Sequence, residues 1–98
     1  MNVIEPESVV VASADQVSSD LAGGVVILNL RDSVYYGLNS VGSRIWQLLK
    51  TPQKVSVICD VIAGEYAVDP QSCMQDTITL LEQLAQRRLV EVNVDAVA

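Results

Sequence analysis

From Val25 to Leu30 the chain is apolar at every position but Asn29; it turns polar through Arg31-Asp32-Ser33 and is apolar or aromatic again from Val34 to Leu38. Two runs rich in branched and aromatic side chains around a short polar break read as a β-hairpin. The first run barely alternates, which predicts a central strand covered on both faces. The second alternates, with Val34, Tyr36 and Leu38 on one side and Tyr35 and Gly37 on the other, and one of its backbone edges has no obvious partner. An earlier apolar run, Val9 to Ala12, reads as the remaining strand of a three-stranded antiparallel sheet. Between them Ser13 to Gly24, small and polar and ending in Gly23-Gly24, reads as a connecting loop. Residues 1–8 and 95–98 show no periodicity and read as loose termini.

Beyond Leu38 the period lengthens. Asn39 and Ser40 are good cap residues ahead of Val41, Ile45 and Leu48-Leu49, which predicts a first helix carrying Trp46, the only tryptophan. Gly42 inside that helix is costly for propensity, by about 1 kcal/mol relative to Ala, and close packing against a strand would explain it. Thr51-Pro52 breaks the chain, and Val55, Ile58, Cys59, Ile62 and Tyr66 recur at helical spacing as a second helix. Asp69-Pro70 is a start signal for a third, expected to run to about Arg88. Leu89 to Val94 alternates and reads as a short closing strand. The 98 residues thus predict one α+β domain, a three-stranded antiparallel sheet followed by three helices and a closing strand. Trp46, Ile45, Tyr66 and Leu38 are expected in its core.

The residues Leu28-Asn29-Leu30, Tyr35-Tyr36-Gly37-Leu38-Asn39, Val41-Gly42, Arg44-Ile45-Trp46 and Leu48-Leu49, followed by Ile58 to Tyr66 and Asp69, resemble the PqqD-like family. The resemblance runs from about Val9 to Val92. Members of that family are small leader-peptide recognition domains serving enzymes that modify ribosomally made peptides, and they include the discrete B1 proteins of lasso-peptide pathways. The resemblance implies a winged helix-turn-helix-like fold. It also implies binding of a precursor's leader along the third strand, in a groove whose other wall is the third helix.

Composition narrows the alternatives. The net charge is −6, and all four charges in the first thirty residues are acidic (Glu5, Glu7, Asp15, Asp20), which opposes attraction to a phosphate backbone. A winged fold raises DNA binding as a possibility, but the outward positions of the third helix are Gln75, Asp76, Thr79, Glu82, Gln83 and Gln86, with Arg87 and Arg88 only at its end. Nucleic acid is therefore not an expected partner. No apolar run approaches the ~20 residues of a membrane span, and no basic flank precedes an apolar N-terminal core, so neither membrane association nor export is expected and a cytoplasmic location is. With no histidine, and with Cys59 and Cys73 lacking metal-type spacing, the cysteines read as small core residues and no metal or cofactor is expected. No nucleophile-and-base set, acid pair or phosphate loop is present, so the chain is not expected to be an enzyme. Half the residues are apolar, more than so small a core absorbs, which leaves apolar surface for a partner.

What remains is peptide recognition by strand addition. Val34, Tyr35, Tyr36, Gly37 and Leu38 form the expected pairing strand. On the third helix Met74, Ile78, Leu81 and Ala85 share one face and read as the core row, while Cys73, Thr77, Leu80 and Leu84 form a second row, either a groove wall or part of a more deeply buried helix. Taking the groove, the expected peptide contacts on the helix are Cys73, Asp76, Thr77, Leu80 and Leu84. The expected partners are the leader of a precursor peptide and a separate leader peptidase or modifying enzyme. The alternatives are a partner of a radical-SAM enzyme in quinone-cofactor biosynthesis, and a homodimeric interaction domain using the same strand edge.

Overall fold

The computed structural model of the chain describes residues 4–21 and 23–92. The elements follow in the order β1 (Val9–Ala12), β2 (Gln16–Leu21), β3 (Gly24–Asn29), β4 (Tyr35–Leu38), α1 (Ser40–Leu48), β5 (Gln53–Lys54), α2 (Val55–Tyr66), α3 (Pro70–Gln86) and β6 (Val90–Val92). The α+β class, the hairpin and the three helices are those expected. The sheet is not one but two, each three-stranded and antiparallel, with orders β5-β1-β6 and β2-β3-β4.

The expected loop from Ser13 to Gly24 contains a six-residue strand, β2, which pairs with β3 along its whole length. Its residues from Val17 to Asp20 are all exposed, so main-chain pairing with β3 forms it rather than burial of an apolar face, and there was no apolar alternation to read. β1 consequently does not join the hairpin. It lies between β5 and β6, with Val10 opposite both Gln53 and Val92. β3 is central, but its burial alternates: Val25, Ile27 and Asn29 are buried while Val26 and Leu28 are half-buried. Helices pack on its inner face alone, which corrects the expectation of cover on both.

The N-terminal segment is docked from Ile4 onward rather than loose. Ile4 is buried, the Glu5 N–H donates to Ser8 Oγ, and the first N–H groups of α2, on Val55 and Ser56, donate to the carbonyls of Ser8 and Pro6. Lys54 cannot cap α2 with its side chain, so this segment supplies acceptors that the helix start lacks. The other two helices begin at the caps read from the sequence: Asn39 Oδ1 accepts from Gly42 N at 2.9 Å, and Asp69 Oδ2 accepts from Ser72 N at 2.9 Å with Pro70 following. α3 ends at Gln86 and the closing strand spans Val90–Val92; positions 93–98, including the expected C-terminal tail, lie outside the described residues.

The core joins the inner face of β3 and β4 (Val25, Ile27, Leu38) to α1 (Ile45, Trp46), α2 (Ile58, Cys59, Ile62) and α3 (Cys73, Leu81, Leu84). Each fully buried aliphatic side chain there contributes about 1.5–3 kcal/mol. Tyr66, expected inside, is 38% exposed, because α2 reaches its last turn beyond the edge of the core. Gly42 sits against Leu38, as close strand packing predicts: a Cβ there would approach the Leu38 side chain to 3.3 Å.

Candidate functional site: a cleft between a sheet edge and a helix

Among the described residues β4 borders only β3, so its other edge is open. The register sets Leu38 opposite Val25 and Tyr35 opposite Leu28, and at the hairpin end the Asn29 N–H donates to the Val34 carbonyl at 3.0 Å. That bond makes Asn29 and Val34 a hydrogen-bonded pair, and antiparallel pairs alternate. Tyr36 and Leu38 therefore direct their N–H and C=O groups to β3, while Tyr35 and Gly37 present theirs outward. The side chains alternate the other way about the sheet plane: Tyr36 and Leu38 face α3 and the core, whereas Tyr35 shares the outer face with its cross-strand partner Leu28.

Facing this edge is α3. Between them lies a cleft of about 550 Å³, walled on one side by Tyr36, Gly37 and Leu38 and on the other by Ser72, Cys73, Asp76, Thr77 and Leu80. Val41, Gly42 and Ile45 of α1 and Ile62 of α2 form its floor. At Gly42 the floor packs directly against the Leu38 side chain, which a Cβ there would approach to 3.3 Å. α1 and α2 are clamped by a forked ion pair, Arg44 Nε to Glu65 Oε1 and Arg44 Nη2 to Glu65 Oε2, each 2.9 Å. The hydrogen bond from Arg44 holds the Glu65 carboxyl below its usual range, and the same contact pushes the Arg44 guanidinium up. Among the described residues the lining is mainly apolar, and its one charged side chain is Asp76.

Of the expected contacts, the cleft brings together Tyr36, Gly37, Leu38, Cys73, Asp76, Thr77 and Leu80. Val34 lies outside β4, exposed at the hairpin end, and Tyr35 is 67% exposed with its side chain on the outer face. Leu84 is completely buried, so it belongs to the core and not to the wall. The α3 rows are accordingly redrawn. Cys73, Thr77, Leu81 and Leu84 are the buried set, and Met74, Ile78 and Ala85, expected as core, are half-buried at its margin. Cys73 and Thr77 serve both purposes, buried yet bordering the cleft from below. Asn39, Val41, Ile45, Ile62, Val68 and Ser72 were not anticipated; the one local signal was Gly42, which marks where α1 packs closely against Leu38 of β4 beside the cleft.

Cys59 and Cys73 are both reduced and buried. Cys73 Sγ lies 3.9 Å from the Cys59 carbonyl oxygen and 3.9 Å from Thr77 Oγ1. Burial pushes the Cys59 thiol up, away from the thiolate that nucleophilic chemistry needs. Among the described residues no three His, Cys, Asp or Glu side chains gather as a metal site, and no helix is long and apolar enough to cross a membrane.

Comparison with known proteins adds the following. The family model of coenzyme PQQ synthesis protein D (PqqD) matches residues 24–90. Among solved structures, TbiB1 in complex with the TbiA(beta) leader peptide is similar at 38% identity with a TM-score of 0.77, over 83% of this chain and 94% of that one. Lasso peptide synthetase B1 complexed with the leader peptide shares the fold at 20% identity, TM-score 0.74, over 84% of this chain and 96% of that one. No curated protein sequence matches.

Proposed function

This chain belongs to the PqqD family, and from that premise we propose that it is a non-catalytic binding protein for the leader of a ribosomally made precursor peptide. The observation that carries the reading is the pairing of an open strand edge with an apolar cleft. Tyr35 and Gly37 offer outward N–H and C=O groups for main-chain pairing, and the cleft beside them receives every second side chain of an added strand. That a relative 38% identical was solved with a leader peptide supports the same ligand here.

The bound leader is then presented to a separate leader peptidase or modifying enzyme, most simply in a lasso-peptide pathway, as the B1 relatives suggest. The chain supplies affinity and its partner the chemistry: among the described residues the cleft holds one carboxylate, Asp76, and the sequence has no histidine to pair with it. Calorimetric titration with the TbiA(beta) leader peptide, and with the leader of a precursor encoded beside this chain's gene, tests the reading. Saturable binding that is lost in Leu80→Arg is expected. No saturable binding with either peptide overturns it. The presentation step is tested separately, by whether the chain accelerates leader removal by a peptidase from the same gene neighbourhood.

A further inference from the structure

The groove between β4 and α3 does not stop at the large cleft. Tyr36 borders that cleft on one side and, on the other, a smaller recess of about 50 Å³ near the hairpin turn, lined by Asn29, Asp32, Val34, Arg87 and Leu89. The Tyr36 hydroxyl donates to Gln83 Oε1 at 2.7 Å, which ties β4 to α3 between the two spaces. Beyond this tie the Arg87 guanidinium lies over the Tyr36 ring, 5.1 Å from its centroid. The backbone of Arg87 is held as well: buried Asn29 donates its side-chain amide to the Arg87 carbonyl at 2.6 Å.

Among the described residues the ion pairs take up Arg31, Arg44 and Lys54, and no carboxylate lies within ion-pair distance of Arg87. Asp32 borders the same recess, but its Oδ1 accepts from the Val34 N–H at 3.1 Å within the turn. A guanidinium stacked on an aromatic ring keeps the donors at its edge free and pre-oriented for a planar, forked acceptor. Among the described residues the protein thus holds a cation in place at the end of a groove whose other charged side chains are two carboxylates, Asp76 in the large cleft and the turn-bonded Asp32 in the recess.

We propose that Arg87, seated on Tyr36, is a specificity-determining subsite that reads one acidic side chain of the bound peptide at the hairpin end of the groove. This deepens the leader-binding reading and rests on it. A strand added to β4 places the residue beside Tyr36 with its side chain toward α3, where Arg87 stands; the large cleft takes the apolar side chains further along. Charge then fixes register. In a sheet, a slip of one residue turns every side chain to the other face, and a carboxylate committed to Arg87 opposes that slip. Gln83 and Asn29 are positioning residues: one fixes the ring, the other the backbone that carries the guanidinium.

Selection from a random peptide library displayed on mRNA tests this whatever the sequence of the leader. Wild-type chain is expected to enrich peptides with apolar residues at alternate positions and Asp or Glu at one further position. Arg87→Gln should keep the apolar pattern and lose the acidic preference, Arg87→Lys should retain it in part, and Arg87→Glu should exchange it for Lys or Arg, a reversal that a purely structural role would not produce. For a selected peptide, Glu→Gln at that position should weaken wild-type binding about five- to tenfold and Arg87→Gln binding not at all. Apolar enrichment with no acidic preference, or an acidic preference that survives in Arg87→Gln, overturns the subsite and leaves the groove standing. Failure to enrich any peptide that Leu80→Arg rejects overturns both.

Discussion

Leu38 turns its carbonyl oxygen onto Gly24, leaving no room for a side chain there; a Cβ would collide with that oxygen. The contact closes the far end of the β3–β4 pair, beside the left-handed Gly23 at φ +83°. Since the obstacle is backbone, it cannot rotate away. Gly24→Ala is expected to cost about 1–3 kcal/mol, and Gly23→Ala about 1 kcal/mol through its positive φ alone. Chemical denaturation followed by the fluorescence of buried Trp46 measures both; an unchanged midpoint for Gly24→Ala contradicts the close approach.

Edge pairing predicts a contrast along β4. Proline at Tyr35 or Gly37 removes an N–H that points outward, so the β3–β4 ladder survives and peptide binding falls by about 1 kcal/mol or more. Proline at Tyr36 removes an N–H that β3 uses and should destabilise the fold itself. Calorimetry and thermal melting on the three variants separate the outcomes. Wild-type affinity in folded Tyr35→Pro and Gly37→Pro would remove main-chain pairing from the binding mode.

On α3, Leu81 and Leu84 are wholly buried, while Leu80 is half-buried against the cleft. Leu81→Ala and Leu84→Ala are each expected to cost about 2–5 kcal/mol of stability. Leu80→Ala should cost markedly less stability and instead weaken peptide binding by about 1–3 kcal/mol. Equal destabilisation by all three would place Leu80 in the core.

The Arg44–Glu65 fork makes an acid-side prediction. The Glu65 pKa is lower folded than unfolded, so its contribution is present above the unfolded value and is lost as pH falls through the folded one. Glu65→Gln should therefore lower stability near neutrality and show a shallower decline on acidification than wild type. The group is well exposed and the effect correspondingly modest. Parallel slopes for the two proteins, from denaturation midpoints across the acid range, would show that the fork contributes nothing.

Local pattern alone determined a good part of this protein. Apolar runs at Val25 to Leu30 and Val34 to Leu38, separated by Arg-Asp-Ser, specify a hairpin; Asn39 and Asp69-Pro70 specify two helix starts; and the lack of an apparent partner for the second run pointed to the open edge. Each of these depends on residues a few positions apart, which is why a single sequence shows them. Tertiary structure decided the rest. β2 has no apolar face to read, because it is held by hydrogen bonds to β3 that any sequence can make. The placement of β1 between β5 and β6 pairs residues more than forty positions apart. On α3 the row Met74, Ile78, Leu81 and Ala85 read as core and its neighbour as either wall or core, and only the packing of α3 in the fold buries Leu84 and leaves Leu80 at the cleft. Arg87 looked like an ordinary helix-end charge; its place on Tyr36 comes from a bond between Asn29 and the Arg87 backbone, 58 positions apart, which no periodicity could register.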